Sequence, residues 1–215
     1  MRVGGMDARA RDEQLGREFD LIGQETVWVG GLANALRTIP VALDIAADVE
    51  RAAPGATLLN FTNPAGLVTE ALLRHSPVRT IGLCNIPWTM RARIASSLEI
   101  EPVRVELESV GLNHLSWVRR VMVDGVDRTA EVIERSIAAA ERRTRSDDPA
   151  EEPTWSADDL RELGALPNPY LRYFRFPERW VERQRHVPTR AAEVAKIESA
   201  LLEQYADPEL AQKPP

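Results

Sequence analysis

Apolar and polar positions in the first hundred residues follow two patterns, one typical of helices and one typical of buried strands. Residues 31–52 carry an apolar side chain every three or four positions, which predicts a helix that Pro40 either kinks or divides in two. Residues 57–61 and 79–84 are short, largely apolar runs bounded by turn residues, and they predict buried strands. Helical spacing returns after each strand, over residues 65–75 and 88–98. This alternation of helix and strand predicts a parallel, doubly wound sheet.

The pattern changes beyond residue 100, where apolar and polar residues alternate one by one. Residues 103–107 and part of residues 114–123 show this alternation, and Asp124-Gly125 is a strong turn signal. Such alternation is typical of antiparallel strands that expose one face to solvent. The other predicted segments are a polar loop leading into a helix over 7–20, a charged helix over 128–145, and mainly helical stretches over 157–163 and 170–205.

Composition and charge mainly exclude classes of protein and of binding partner. The 215 residues are 44% hydrophobic and 28% charged, which is ordinary for a globular chain long enough to bury a core. The net charge of -6 provides no general field for nucleic acid, and the apolar stretches are too short to span a bilayer. The single cysteine excludes a disulfide framework and favours a reducing compartment. We therefore expect a cytoplasmic protein that binds neither nucleic acid nor membrane.

Cys84 and His114 carry the strongest chemical signal in the chain. Each lies at the end of an apolar run that predicts a strand, and strand ends are where α/β sheets place ligands. A thiolate and an imidazole that meet there are suited to bind one divalent metal ion. The alternative stays open, because a single cysteine is often a small buried hydrophobe and a histidine beside apolar residues often packs in a core.

Five further positions have two possible roles each. Asn60 and Asn63 follow a predicted strand, where an amide either forms the turn or binds a cofactor or the hydroxyls of a polar ligand. Arg9 and Arg190 are either solvated or anchors for a phosphate group. Tyr170 follows two prolines, and it either packs or, beside a metal and other cations, serves as a base.

Eight stretches, in their order along the chain, strongly resemble glycoside hydrolase family 4. They are RVGGMDARARDEQ, IGQET, GG..NALRTIP, LLNFTNPAG, IGLCNIP, VGLNHLSW, LPNPYLRYF and PTRAAEV, and they run from residue 2 to residue 194. The resemblance implies an enzyme that depends on NAD and a divalent metal, usually manganese, and acts mainly on 6-phosphoglycosides. Unlike most glycosidases, this family needs no pair of carboxylates.

The resemblance implies a redox-assisted elimination. NAD takes a hydride from C3 of the sugar and so produces a ketone, while the metal polarises the oxygens on C2 and C3. The ketone makes the C2 proton acidic, and a tyrosine removes that proton. The aglycone then leaves from C1, water adds to the resulting enone, and the hydride returns.

Each matching residue takes an implied role from the resemblance. Cys84 and His114 match the metal ligands, Tyr170 matches the proposed base, and Asn63 matches a substrate-binding amide next to the metal. The remaining matches are Arg9 and Arg190 around the substrate phosphate, Gln24 and Glu25 in the active-site turn that contacts the cofactor, and Asn60 as a cofactor contact.

Asn85 bears on the anomeric preference. In family members that cleave α-glucosides, the dipeptide that corresponds to Cys84-Asn85 resembles Cys-Asp, and its aspartate is a candidate acid. The Cys-Asn-Ile/Val-Pro form found here resembles the 6-phospho-β-glucosidases. It implies a β-linked 6-phosphoglucoside as the substrate, with Asn85 in the substrate site.

The resemblance also implies the fold class and the domains. We expect an α/β chain in which a partial Rossmann-like doubly wound sheet, lacking its N-terminal nucleotide-binding strands, is joined to an α+β catalytic domain with antiparallel strands and helices. Residues 1–100 would form the C-terminal part of the NAD-binding domain, and residues 101–215 would form a partial catalytic or substrate domain.

The family's Gly-rich turn for the NAD pyrophosphate has no counterpart in this sequence. We therefore expect an internal fragment, inactive alone, with an unpaired sheet edge and uncovered apolar surface, and a homo-oligomeric full-length form. Two alternatives stay open. One is an inactive remnant that retains a metal- or sugar-phosphate-binding patch, and the other is an unrelated α/β interaction module.

Overall fold

The computed structural model describes residues 3–143 and 148–207. The chain divides into two compact units: a first unit of Met1–Leu83 with Val181–Pro215, and a second unit of Cys84–Trp180. In chain order the elements are α1 (Gly5–Glu18), α2 (Trp28–Ala52), β1 (Thr57–Asn60), α3 (Ala65–His75), β2 (Arg79–Gly82), α4 (Ile86–Ser97), a 3₁₀ turn (Pro102–Arg104), β3 (Val105–Leu112), β4 (Leu115–Val123), β5 (Val126–Asp127), α5 (Thr129–Arg142), α6 (Ala157–Leu163), β6 (Leu166–Pro167), α7 (Leu171–Arg175), α8 (Pro177–His186) and α9 (Arg190–Tyr205). The units are bounded differently from the expected domains 1–100 and 101–215, whose division stays a prediction.

The first unit contains the predicted parallel pairing. β1 and β2 run parallel, with Thr57 opposite Arg79 and Asn60 opposite Gly82. The helix α3 connects the two strands, as a parallel pair requires. One face of the pair contributes to a core with α2 and α3, whose buried members are Ala42, Ala46, Val68, Leu72 and Val78. The α/β fold class is therefore confirmed.

The opposite face of β1 and β2 is apolar and exposed. Leu59 and Ile81 are cross-strand neighbours, and they are 61% and 48% exposed. Phe61 and Leu83, which follow the strands, are also exposed. In the described part of the chain, no third strand pairs with β1 or β2. The expectation of uncovered apolar surface is thus confirmed for this face.

The prediction of a loop at the start of residues 7–20 is wrong, because α1 already begins at Gly5. The buried face of this helix is formed by small and charged residues, Ala8, Asp12, Glu13 and Gly16, so it shows no apolar periodicity. Asp12 is held by two hydrogen bonds from the guanidinium of Arg37 in α2. A helix that buries paired charges rather than apolar side chains is not detectable from hydrophobic spacing alone.

Pro40 does not divide the second helix. α2 runs without interruption through Pro40 as one helix of 25 residues. Thr38 and Ala42, on either side of the proline, are buried, so packing holds the helix where one backbone N–H is missing. The predicted helical stretch over 170–205 consists of three helices, α7, α8 and α9.

The second unit is built on the predicted antiparallel strands. β3 pairs with β4 from Val105 opposite Val123 to Leu112 opposite Leu115, with a register shift between Glu108 and Ser109. The short strands β5 and β6 also pair with β4. Its core consists of Ile94, Ala95, Val105, Val118, Val121, Val123, Val132 and Leu166. Within residues 3–143 and 148–207, no helix has the length and apolar character needed to cross a membrane.

Candidate functional site

His114 lies in the tight turn that joins β3 to β4. Because Leu112 pairs with Leu115, only Asn113 and His114 form the connection, and His114 adopts a left-handed backbone with φ 63°. The residue is buried, with 8% of its surface exposed. Burial lowers the pKa of the imidazole below its ordinary value, because desolvation disfavours the charged ring. The neutral imidazole that results is the form that binds metal ions.

Cys84 lies between β2 and α4, and its sulfur meets the ring of His114. The Cys84 Sγ is 3.5 Å from the His114 Nε2, although the residues are 30 positions apart. The backbone N–H of Ile86 also points to this sulfur, at 3.5 Å. The predicted convergence of the two side chains is confirmed, while their role as metal ligands stays a prediction.

The spacing of these two donor atoms fits a shared metal ion. Zinc bound about 2.3 Å from a sulfur and about 2.1 Å from a nitrogen, at a tetrahedral angle, holds its two ligand atoms ~3.6 Å apart, which is close to the spacing found here. Across the described residues, no group of three or more His, Cys, Asp or Glu side chains is placed to hold a metal. An ion bound by Cys84 and His114 would therefore keep positions open for water or ligand oxygens, as catalytic sites do.

Tyr170 stacks on the side chain of His114. The phenol ring and the imidazole of His114 are parallel within 2°, with their centroids 3.6 Å apart. The next tyrosine, Tyr173, packs instead against Trp180 at 4.6 Å. Three predicted site residues are therefore in contact, with His114 between the other two, and we call them the Cys84–His114–Tyr170 cluster of the second unit. Asn85 is exposed beside Cys84, and its carbonyl accepts the Thr89 N–H at the start of α4.

The predicted phosphate anchors are already paired with carboxylates in the first unit. Arg9 donates from Nε to Glu13 at 2.9 Å, and its Nη1 lies 3.1 Å from Glu25. These residues form the Arg9–Glu13–Glu25 cluster. Arg190 is exposed and donates to Glu193 at 2.8 Å. Any phosphate that binds here must compete with these carboxylates for the guanidinium groups.

Glu13 was not among the sequence predictions, although it joins distant parts of the first unit. Its side chain is 4% exposed, and one carboxylate oxygen accepts from Arg9 while the other accepts the Ala191 N–H at 2.9 Å. Ala191 directly follows Arg190 at the start of α9. A Cβ at Gly23 would overlap the backbone of Glu13, so glycine lets that turn lie directly against α1. The spacing of four from Arg9 is the one signal that the sequence offers.

The predicted amide contacts close turns in the first unit. The Gln24 Oε1 accepts from the backbone N–H and the hydroxyl of Thr26, at 2.6 and 2.7 Å. Asn60 is buried, and its amide donates to the Thr69 hydroxyl at 3.0 Å and accepts the Thr62 N–H at 3.0 Å. The turn-forming alternative therefore describes the Asn60 side chain, and Gln24 closes its own turn in the same way, while the cofactor contacts of both stay a prediction. The backbone carbonyl of Asn63 accepts from the amide of Asn34 at 3.2 Å.

Two curated proteins are similar to this chain in sequence over its whole length. A "Probable 6-phospho-beta-glucosidase" of Bacillus subtilis is 43% identical over 219 residues, which cover all of this chain and 49% of the relative. A "6-phospho-beta-glucosidase" of Escherichia coli is 38% identical over 220 residues, with the same coverage of both chains. The chain thus spans about half the length of the curated relatives it matches.

A solved structure and two family matches agree with these relatives. The 6-phospho-beta glucosidase from Thermotoga maritima, solved with manganese, NAD+ and glucose-6-phosphate, superposes with a TM-score of 0.85 at 33% identity, over all of this chain and 50% of that one. Residues 1–100 match the family described as "Family 4 glycosyl hydrolase". Residues 109–214 match the "Family 4 glycosyl hydrolase C-terminal domain". The chain therefore belongs to glycoside hydrolase family 4.

Proposed function

We propose that the protein hydrolyses 6-phospho-β-glucosides in a reaction that uses NAD and a divalent metal, with manganese as the metal. The observation that carries the proposal is the Cys84–His114–Tyr170 cluster, in which two metal-binding atoms lie 3.5 Å apart beside a stacked phenol. The names of the relatives, two of them 6-phospho-β-glucosidases, support the substrate class.

Cys84 and His114 would hold the metal ion. A sulfur and an imidazole by themselves favour zinc over manganese. Oxygen ligands favour manganese, so water and substrate oxygens in the remaining coordination positions would contribute to the choice of metal. When bound, the ion supplies a Lewis acid for the sugar hydroxyls. The Ile86 N–H points to the same sulfur, so the backbone at the start of α4 helps to fix the position of this proposed ligand.

Tyr170 would remove the proton from C2 of the oxidised sugar. Its ring lies against the imidazole of His114, which places the phenol beside the proposed metal ligands. A general base must lie within hydrogen-bond reach of the proton it removes, and this position beside the proposed ligands brings the phenol close to a metal-bound sugar. Asn85, exposed next to Cys84, would bind a hydroxyl of the sugar from the start of α4, and Asn63 is proposed as a second substrate amide.

NAD, when bound, supplies the acceptor for the hydride from C3. The proposed contacts in this chain are Gln24, Glu25 and Asn60. The amides of Gln24 and Asn60 are used within their own turns, so their contribution would be to fix the backbone of these turns. Arg9 and Arg190 would bind the 6-phosphate, because a dianion can replace the carboxylates that now accept from them.

The assay that tests this function compares both anomers. Purified full-length protein is given NAD, manganese and either nitrophenyl 6-phospho-β-glucoside or its α-anomer. We expect the β-anomer to be turned over, because this chain has Asn85 at the position where the α-type pattern has an aspartate. We also expect this turnover to require both NAD and the metal. Faster turnover of the α-anomer would contradict the anomeric assignment, and turnover without NAD would contradict the reaction type.

A second candidate concerns the 215 residues on their own, which would retain metal or sugar-phosphate binding without turnover. It is favoured by the exposed apolar face of β1 and β2 and by the lack of a Gly-rich phosphate turn in the sequence. Calorimetric titration of this chain with NAD, followed by an assay with manganese, separates the candidates. Micromolar binding of NAD together with turnover would contradict the second one.

We also propose that the protein is cytoplasmic and that its full-length form is homo-oligomeric. The free cysteine supports a reducing compartment. Cell fractionation and sedimentation of the full-length protein test these two statements. A monomer in sedimentation, or recovery outside the cytoplasmic fraction, would contradict them.

A further inference from the structure

Asn168 links the segment that carries Tyr170 to the strand that follows His114. Its side-chain oxygen accepts the backbone N–H of Tyr170 at 2.9 Å. Its side-chain nitrogen donates to the hydroxyl of Ser116 at 3.2 Å, and its backbone N–H donates to the Ser116 carbonyl at 3.0 Å. The side chain therefore uses both ends of its amide, one toward each segment.

The environment of Asn168 makes this link rigid. The residue is 4% exposed, and β6 pairs with β4 immediately before it, with Pro167 opposite Trp117. The Leu171 N–H donates to the Asn168 carbonyl at 2.9 Å, which closes the turn into α7. A buried amide with its hydrogen bonds satisfied specifies one conformation, because each unmade bond would leave a desolvated polar group.

The same two segments carry the two stacked rings. His114 precedes Ser116 by two residues, and Tyr170 follows Asn168 by two residues. The amide link therefore lies directly beside the contact between the phenol and the imidazole, whose centroids are 3.6 Å apart. Without the side-chain amide, the Tyr170 N–H and the Ser116 hydroxyl lose these partners, and backbone pairing beside Ser116 is left to join the two segments.

We propose that Asn168 is a positioning residue, which fixes the Tyr170 ring over His114 by tying its backbone to Ser116. This inference rests on the proposed function, in which Tyr170 is the base. A base must lie within hydrogen-bond reach of the proton it removes, and a displacement of about 1 Å can cost ~10²-fold in rate. Asn168 acts on the reaction only through the placement of the phenol.

The first test measures the ring contact itself and needs no turnover. The chain has three histidines, so selective labelling gives a simple spectrum in which His75 and His186 serve as internal references. Protons of the His114 ring are shielded by the stacked phenol. We expect Asn168→Ala to remove this shielding without moving the reference signals. Unchanged His114 signals in Asn168→Ala would overturn the positioning role.

The second test measures proton transfer in the full-length enzyme. Asn168→Ala should lower kcat ~10²-fold with little change in KM, and it should raise the isotope effect for substrate deuterated at C2. Ser116→Ala removes one of the bonds and should lower kcat by less. Because both variants break the same link, the double variant should be no slower than Asn168→Ala alone.

The matched control is Ser136→Ala, which removes another half-buried hydroxyl, bonded to the Val132 carbonyl at 2.8 Å within α5. It should leave kcat and the isotope effect unchanged. An Asn168→Ala enzyme that melts earlier but keeps its kcat and isotope effect would overturn the inference, since the residue would then be structural only. No turnover by the unsubstituted protein would overturn the proposed function instead, and the spectra would still decide whether Asn168 places the ring.

Discussion

The Cys84–His114–Tyr170 cluster and the Arg9–Glu13–Glu25 cluster both gather polar side chains from distant segments, yet they differ in how those side chains are satisfied. In the second unit, the Cys84 sulfur contacts the His114 ring, and that ring stacks on the Tyr170 phenol. In the first unit, Arg9 lies between two carboxylates. The proposed metal ligands of the second unit are therefore held by ring and sulfur contacts, whereas the proposed phosphate anchor Arg9 is held by ion pairs that a phosphate would have to displace.

The two sheets show a related contrast. The apolar residues of β4 enter the core of the second unit, where Val118 and Val121 are almost fully buried. In β1 and β2, Leu59 and Ile81 face outward and are exposed. Exposed apolar area of this kind marks a surface that other protein or ligand tends to cover. The inner face of β1 and β2 packs on the core of the first unit, whereas their outer face is left uncovered.

The largest effect on turnover is expected when the hydroxyl of Tyr170 is removed. If the second-unit cluster carries the proton transfer, Tyr170→Phe in the full-length protein should lower kcat by ~10²–10⁴-fold, the usual contribution of general-base catalysis. Tyr173→Phe is the control, because that ring packs against Trp180. The assay uses the 6-phospho-β-glucoside with NAD and manganese. A loss from Tyr173→Phe that equals or exceeds that from Tyr170→Phe would show that the wrong tyrosine has been assigned.

The next effect concerns the metal. Cys84→Ser keeps the size of the side chain but removes the sulfur 3.5 Å from the His114 Nε2. Loss of a supporting residue around a metal commonly costs about 10–100-fold in affinity, and loss of a ligand should cost at least as much. Manganese titration by calorimetry measures the change. Arg9→Gln, in the other cluster, should leave manganese affinity unchanged, and an equal loss there would remove the distinction between the clusters.

Much of this arrangement follows from the sequence, but for different reasons in different places. The parallel strands β1 and β2 and the antiparallel pair β3 and β4 follow from apolar runs and alternation. The meeting of Cys84 and His114 follows because both were expected at strand ends. Tyr170 stacking on His114 does not, since the register of β6 against β4, which brings the two segments together, has no signal in so short a strand.

The first unit shows where hydrophobic spacing fails. Asp12 and Glu13 bury their charges against Arg37 and Arg9, so α1 lacks an apolar stripe and its first turns resemble a loop in the sequence. The partner of Glu13 in α9, the Ala191 N–H, lies 178 positions away. Pairings over such separations depend on the completed fold, and neither residue type nor local spacing predicts them.

A third prediction tests whether the first-unit cluster is structural. Glu13→Gln removes the charge that accepts from Arg9 and from the Ala191 N–H. Hydrogen bonds to a charged, buried group contribute about 1.5–3 kcal/mol, so the free energy of unfolding should fall by that order. Urea titration measures it. Glu193→Gln is the control, because its pair with Arg190 is exposed and should contribute ~1 kcal/mol or less.

The manganese affinity of the Glu13→Gln variant provides a second measurement of the same question. Glu13→Gln should leave manganese affinity unchanged, because the proposed ligands belong to the other unit. A variant that keeps its stability but loses binding of sugar phosphate would contradict the structural role. It would instead assign Glu13 to the ligand site.

The smallest effect on stability, and the last prediction, concerns the exposed face of β1 and β2. Leu59→Gln with Ile81→Gln replaces two exposed apolar side chains whose removal opens no cavity, so stability should change by no more than about 0.5 kcal/mol per site. Association of the chain should nevertheless decrease, because that face presents contiguous apolar surface to other copies. Sedimentation velocity and binding of an apolar dye measure the change. Leu107→Gln is the contrasting variant, since Leu107 packs against the second-unit core and its replacement should destabilise the fold. If the double variant associates as strongly as the unsubstituted chain, the apolar face of β1 and β2 is not the surface that distinguishes the first unit from the second.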